Sequence, residues 1–289
     1  MAKRIVLFLV TNLAIMAMLT LVLGVLGIGG YYQPDGTLNY PSLMVFSLVW
    51  GMGGAVISLL MSRTIAKMTM GVRLVNGQSG NAELDWFYQT VSRLAQQANL
   101  PMPQVGFYES PEVNAFATGP SRRSSLVAVS SGLLRGMRRE EIEGVLAHEL
   151  AHIQNGDMVT MTLIQGVVNA FVLFLARVIG SLVRSSDNRS GDSLSFIVTI
   201  ALQFVLGILG SMVVAWFSRA REFRADTGGA TLAGRQNMIG ALRRLQTTTR
   251  LVDNSQPELA TLKISGGRAM MLFSTHPPLE QRIAALEKL

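Results

Sequence analysis

Four long apolar runs limit what this chain can become: Ile5–Ile28, Leu43–Met61, Met158–Val183 and Leu194–Phe217. Each is long enough to cross a bilayer, which takes about 20 predominantly apolar residues. Charged residues make up 15% of the chain, below the roughly 25% usual in soluble proteins. A mainly α-helical membrane protein with four hydrophobic helices is therefore expected. The first run follows Lys3-Arg4, but it is too long for the core of a signal peptide and lacks a small-residue cleavage pattern, so it reads as retained.

The flanks suggest an orientation. Lys3 and Arg4 precede the first run, and the stretch 29–42 after it has no Lys or Arg. Arg63, Lys67 and Arg73 follow the second run, and Arg219, Arg221 and Arg224 follow the fourth. Because cytoplasmic loops are enriched in Lys and Arg, both termini and the middle segment are expected in the cytoplasm. Arg184 and Arg189, between the third and fourth runs, resist this scheme, and Arg177 lies inside the third run. That hairpin could lie shallow, since an arginine in hydrocarbon is costly unless it snorkels or is paired. The net charge of +7 fits flanking arginines and lysines. No basic run is interleaved with aromatics and no recognition motif occurs, so nucleic acid is not an expected partner. The absence of cysteine excludes disulfides and thiolate metal sites and leaves His, Asp and Glu as ligands.

Four segments follow: 1–62 with two membrane helices, 63–157 soluble in character, 158–217 a hydrophobic hairpin, and 218–289 soluble again. Within 63–157, Leu84, Phe87, Val91, Leu94 and Ala95 form one stripe of an amphipathic helix over Ala82–Ala98, broken by Pro101 and Pro103. Gln104–Tyr108, Val113–Thr118 and Leu126–Ser130 read as strands, and Arg138–Asn155 as a helix with acids in its first turns. A helix around Gln236–Thr248, an irregular stretch with Pro257 and Gly266-Gly267, and a terminal helix from Leu279 complete the reading.

The helix at Arg138–Asn155 carries the chemistry. His148-Glu149-Leu150-Ala151-His152 uses two of the chain's three histidines. Residues four apart share a helix face, so both imidazoles could grip one metal ion with Glu149 beside them. The neighbours Val145, Leu146, Ala147, Leu150, Ala151 and Ile153 make the helix apolar, and buried histidines need partners. A catalytic zinc usually has three protein ligands and one open position. Glu222, with Asp226 one turn later, is the best third candidate: a ligand, and an acceptor for a ring N–H. The competing reading is an exposed ion-pair helix, with both acids among Arg219, Arg221 and Arg224. His276, before Pro277-Pro278, sits on a rigid turn ahead of a helix that carries Arg282. It either points a donor at an oxyanion or merely caps that helix.

In His148–His152, the Glu222/Asp226 pair, the segment Asn114-Ala115-Phe116-Ala117 and the His-Pro-Pro run ending at Arg282, the chain resembles the HtpX-type membrane metalloproteases, relatives of the type I prenyl-protein (CAAX) endopeptidases. The resemblance covers nearly the whole chain. It implies an α+β zincin-like (gluzincin) protease domain with a small β-sheet, facing the cytoplasm of a bacterial inner membrane. It also implies one Zn2+ held by His148, His152 and Glu222, with Asp226 and Arg282 behind the ligands. The implied role is stress-linked disposal of misfolded membrane proteins.

Glu149 is expected to move the proton of the attacking water and His276 to help the metal hold the oxyanion. An extended substrate is expected to pair with an exposed strand edge, at Val113–Thr118 (including Asn114, Ala115, Phe116 and Ala117) or at Leu126–Ser130. His152 lies six residues before the third run and Glu222 five after the fourth. At about 1.5 Å per helical residue, each ligand is within about 10 Å of an apolar segment, and both ligand helices could continue hydrophobic ones. The expected partners are therefore the lipid bilayer and unfolded or membrane-protein substrates; the oligomeric state stays open. The alternatives are a non-catalytic membrane protein with a structural metal and a prenyl-directed peptidase. The first leaves Glu149 without a task, and the second needs an enclosed chamber for which four spans give little material.

Overall fold

In the computed structural model, residues 2–28, 30–34, 37–184, 191–255 and 274–289 are described. In chain order the elements are α1 (Ala2–Val25), α2 (Tyr40–Met70), β1 (Arg73–Val75), α3 (Ala82–Gln97), β2 (Gln104–Tyr108), β3 (Ala115–Ser121), β4 (Ser124–Ser130), α4 (Ser131–Gly136), α5 (Arg139–Asn155), α6 (Asp157–Arg184), α7 (Gly191–Ala233), α8 (Arg235–Ser255) and α9 (Leu279–Glu287). The loop bearing Arg189 and the stretch with Pro257 and Gly266-Gly267 lie outside the described residues.

The apolar runs are helical, as backbone groups in hydrocarbon must bond within their own segment. Among the described residues three helices are long and apolar enough to cross a membrane, those of α2, α6 and α7. The described side chains of α1 give a shorter apolar segment, Leu13–Val25. These helices turn large apolar groups outward: Leu182 is 65% exposed and Phe204 71%. Such a surface suits lipid rather than water.

Two compact units emerge, Met1–Ser58 with Met161–Val214, and Leu59–Thr160 with Ala215–Leu289. The first is helical and apolar. The second holds a four-stranded sheet in the order β1-β2-β4-β3, where β2 and β4 are parallel and the outer pairs antiparallel. Inward-facing Val105, Val127 and Val129 pack with Phe87, Val91 and Leu94 of α3 and Ile142, Leu146 and Leu150 of α5 into one core. Asn81 starts α3 by accepting from the N–H groups of Glu83 and Leu84 at 2.9 and 3.2 Å, which satisfies donors the helix itself leaves open.

The sheet order corrects one expectation. β4 is paired on both sides, so Leu126–Ser130 has no edge to offer a substrate. β3 is an outer strand. A second correction concerns the histidine helix. α5 does not run on into α6, because Gly156 between them adopts φ 70° and closes α5 with bonds from its N–H to the carbonyls of His152 and Ile153. That left-handed backbone suits glycine and ends the helix. Glu222, by contrast, lies on the same unbroken helix, α7, as the fourth apolar run.

Candidate metal centre

Ten of the 17 residues of α5 are buried, His148 among them, and His148 and His152, four apart, share one face of the helix. Their Nε2 atoms are 3.1 Å apart. α7 approaches from the other side. Gly229 permits this, since a Cβ there would stand 3.1 Å from the backbone nitrogen of His148. One to two turns earlier on α7, Glu222 and Asp226 reach the rings. Glu222 is fully buried, with Oε2 3.6 Å from Nε2 of His148 and Oε1 3.4 Å from Nε2 of His152.

These spacings fit a metal. Ligands about 2.0–2.1 Å from a tetrahedral ion stand about 3.3 Å from one another. Nitrogen and oxygen donors of His148, His152 and Glu222 all lie within 4.8 Å of each other. Both carboxylate oxygens of Glu222 are buried, with Nδ1 of His276 2.9 Å and Nη1 of Arg282 3.3 Å from Oε2, and a buried carboxylate stays charged only beside positive charge. Burial opposes ionisation of Glu222, but His148, His152 and His276 outweigh it and hold the carboxyl well below its usual range.

Carboxylates stand behind both rings. Nδ1 of His148 is 3.0 Å from Oδ1 of Asp226, and Nδ1 of His152 is 2.6 Å from Oδ2 of Asp157. Each contact favours the tautomer that leaves Nε2 free for a metal. Burial alone would lower both imidazole pKa values. The facing carboxylates reverse this, Asp226 and Glu222 for His148, Asp157 and Glu222 for His152, which rises to about 9. Arg282 is buried and grips Asp226 by two bonds, Nε to Oδ2 at 2.8 Å and Nη2 to Oδ1 at 2.6 Å. Burial resists a charged Asp226, and Arg282 and His148 more than offset it.

Glu149 and His276 line the same cleft of about 220 Å³, together with Asn114 and Ala115. His276 is 62% exposed, with Nδ1 2.9 Å from Oε2 of Glu222. Its turn is pinned by Ser274, whose Oγ donates to the His276 carbonyl at 2.6 Å and whose own carbonyl accepts from Arg219 at 2.8 Å. The structure thus gathers His148, Glu149, His152, Glu222, Asp226, His276 and Arg282 in one place, with Asn114 and Ala115 at the cleft wall. Phe116 and Ala117 continue along β3.

Sequence reasoning missed Asp157. It is 1% exposed, and Arg224 comes within 3.6 Å of its other oxygen. An acid directly after a helix-ending glycine, five residues past a ligand, was the available signal.

The comparisons with known proteins bear on this arrangement. The model of peptidase family M48 matches residues 81–289, which include every ligand candidate. The chain belongs to peptidase family M48. Among M48 relatives, it is 53% identical over 293 residues to a Protease HtpX homolog of Paracidovorax citrulli (strain AAC00-1), covering 99% of this chain and 98% of that one. To the Protease HtpX of Pseudoalteromonas atlantica it is 48% identical, with 99% of each covered. Its fold is similar to the crystal structure of S. mikatae Ste24p, at a TM-score of 0.65 and 20% identity. That match covers 99% of this chain and 64% of the Ste24p chain, and concerns fold alone. M48 membership and the apolar helices make the chain a membrane-bound metalloprotease.

Proposed function

We propose that the chain is a zinc-dependent endopeptidase of the bacterial cytoplasmic membrane, with its active site toward the cytoplasm, acting on unfolded or damaged membrane proteins. The observation that carries the reading is the meeting of two Nε2 atoms and a fully buried carboxylate in a cleft that also holds Glu149. A set of two nitrogens and a carboxylate at tetrahedral spacing suits zinc. A zinc ion bound there supplies Lewis acidity, bringing the pKa of water toward about 7 and polarising the scissile carbonyl.

The protein's own groups do the rest. Glu149 takes one proton from the attacking water and delivers it to the leaving amine. His276 donates to the oxygen on which charge develops. Asp226 and Asp157 keep the two ligand rings turned, and Arg282 keeps Asp226 charged and in place. The register of β3 supports an extended substrate along it. The Ser130 N–H donates to the Asn114 carbonyl, so by alternation Phe116 and Thr118 also bond toward β4, while Ala115 and Ala117 turn their N–H and C=O to the open edge. Backbone pairing reads few side chains, which suits a quality-control enzyme with broad substrates. The five-residue separation of Phe217 and Glu222 supports substrates at the membrane.

The test is zinc content and casein cleavage on detergent-purified wild type, Glu149→Gln and Glu222→Ala. We expect one zinc per chain in the wild type, zinc without cleavage in the first variant, and weakened zinc with no cleavage in the second. Wild-type cleavage by Glu149→Gln would remove that residue from the mechanism. Zinc without any wild-type cleavage would favour a structural metal.

A further inference from the structure

Arg177 is the one charged residue within the four apolar runs. A cation there must be neutralised or reach water, because its desolvation is costly. Its partners among the described residues are all neutral. Nε donates to the Tyr31 hydroxyl at 3.1 Å and Nη1 to the Leu173 carbonyl at 3.2 Å. The guanidinium carbon sits 5.5 Å over the ring of Tyr31 and 5.0 Å over that of Phe46. These contacts orient the group and leave its charge in place.

Beside it lies a cavity of about 430 Å³, lined by Tyr31, Tyr32, Arg177, Ser195, Thr199 and Gln203 among others. Ser195 and Thr199 already give their hydroxyl protons to the carbonyls of Gly180 and Ser195, each at 2.8 Å. The donors left for a ligand are three guanidinium N–H groups, the Tyr31 hydroxyl and the Gln203 amide. A set of donors around a positive charge with no anionic partner among the described residues selects an anion, and a planar guanidinium selects phosphate or carboxylate oxygens.

The position narrows the choice. Arg177 is seven residues from the end of α6, about 10 Å along the axis. Tyr31 and Tyr32 belong to the connection between α1 and α2, where aromatic residues mark the headgroup level of a bilayer. The anion abundant at that depth is the phosphate of a phospholipid.

We propose that this cavity binds the phosphate of an anionic phospholipid headgroup, with Arg177 as its counter-charge. The site is separate from the metal centre and does not depend on the protease reading.

The experiment uses the full chain in a neutral detergent. Phosphatidylglycerol, phosphatidylcholine with the same acyl chains, and inorganic phosphate are titrated separately, and native mass spectrometry reads bound lipid. The expected result is at least tenfold preference for phosphatidylglycerol over phosphatidylcholine. Arg177→Gln should cut that preference below twofold, Arg177→Lys should retain an intermediate value, and metal content should stay unchanged in both. If Arg177→Gln fails to fold, Tyr31→Phe and Gln203→Leu, each expected to lower the preference, take its place. A wild type that does not distinguish the two lipids overturns the proposal, as does an Arg177→Gln protein with its preference intact. Displacement of phosphatidylglycerol by millimolar inorganic phosphate would overturn the lipid assignment and leave a site for a soluble anion.

Discussion

His148 and His152 sit four residues apart, yet the acids that hold them come from different distances along the chain. Asp226 is 78 residues past His148 in sequence, whereas Asp157 is five past His152. Asp157 returns to the ring only because Gly156 turns left-handed between them. Asp157→Asn keeps the shape and removes the charge, and should weaken metal binding by about 10- to 100-fold. Competition with a chelator of known affinity measures this, and unchanged affinity would deny Asp157 its role. The same contact sets a pH dependence. The metal-free fold raises His152 to about 9 from its ordinary 6.5, so the protonated ring stabilises that fold fully below pH 6.5. This contribution fades as pH climbs through about 9. A metal needs the ring neutral, so uptake at pH 7 should release at least one proton per ion, and affinity should rise with pH up to about 9. Calorimetry in two buffers of different ionisation heat counts the protons, and zero would contradict the raised pKa. At this scale the sequence was legible where the chemistry is periodic: a spacing of four places His148 with His152 and Glu222 with Asp226. It was silent on Asp157, whose position depends on one dihedral angle.

Elements show the same division. α3, α5 and β2 could be read from the sequence because their patterns repeat over enough residues to count, and β2 falls at Gln104–Tyr108 as expected. β1, three residues long, exists only through its pairing with β2, and α4, six residues rich in small side chains, carries no periodic stripe. Val113–Thr118 and Leu126–Ser130 read as strands from short, largely apolar runs, which could not say which lies at the edge, since sheet order is set by partners distant in sequence. The edge matters for function. Ala115 turns its N–H away from β4, so Ala115→Pro removes a donor to substrate without removing a ladder bond. Proline is tolerated on such an edge. We expect kcat/KM for an unstructured peptide to fall about tenfold, chiefly through KM, roughly the loss of one well-placed hydrogen bond. Metal content should not change. Unaltered KM would mean that the substrate does not pair with β3.

The protease unit is assembled from two stretches of chain, Leu59–Thr160 and Ala215–Leu289, with the apolar hairpin lying between them in sequence. The histidines come from the first stretch and Glu222 from the second, so a bound ion ties the two together. A ligand that binds only the folded state adds about 4 kcal/mol of stability at a thousandfold excess over its Kd. Chelation should therefore loosen this unit far more than the apolar one, whose helices are held by detergent or lipid and by their own backbone bonds. Hydrogen exchange on the chelated protein should show faster exchange, by up to about a thousandfold, in α5, in α7 beyond Ala215 and in α9. The spans Tyr40–Ser58 and Met161–Arg184 should exchange as slowly as before. If protection fell equally in both units, they would be one cooperative body and the metal would stabilise the whole chain. If only the protease unit is loosened, the metal acts as the clasp of a discontinuous domain. That would explain why the ligands are divided between its two stretches: the closed site then forms only when both have folded.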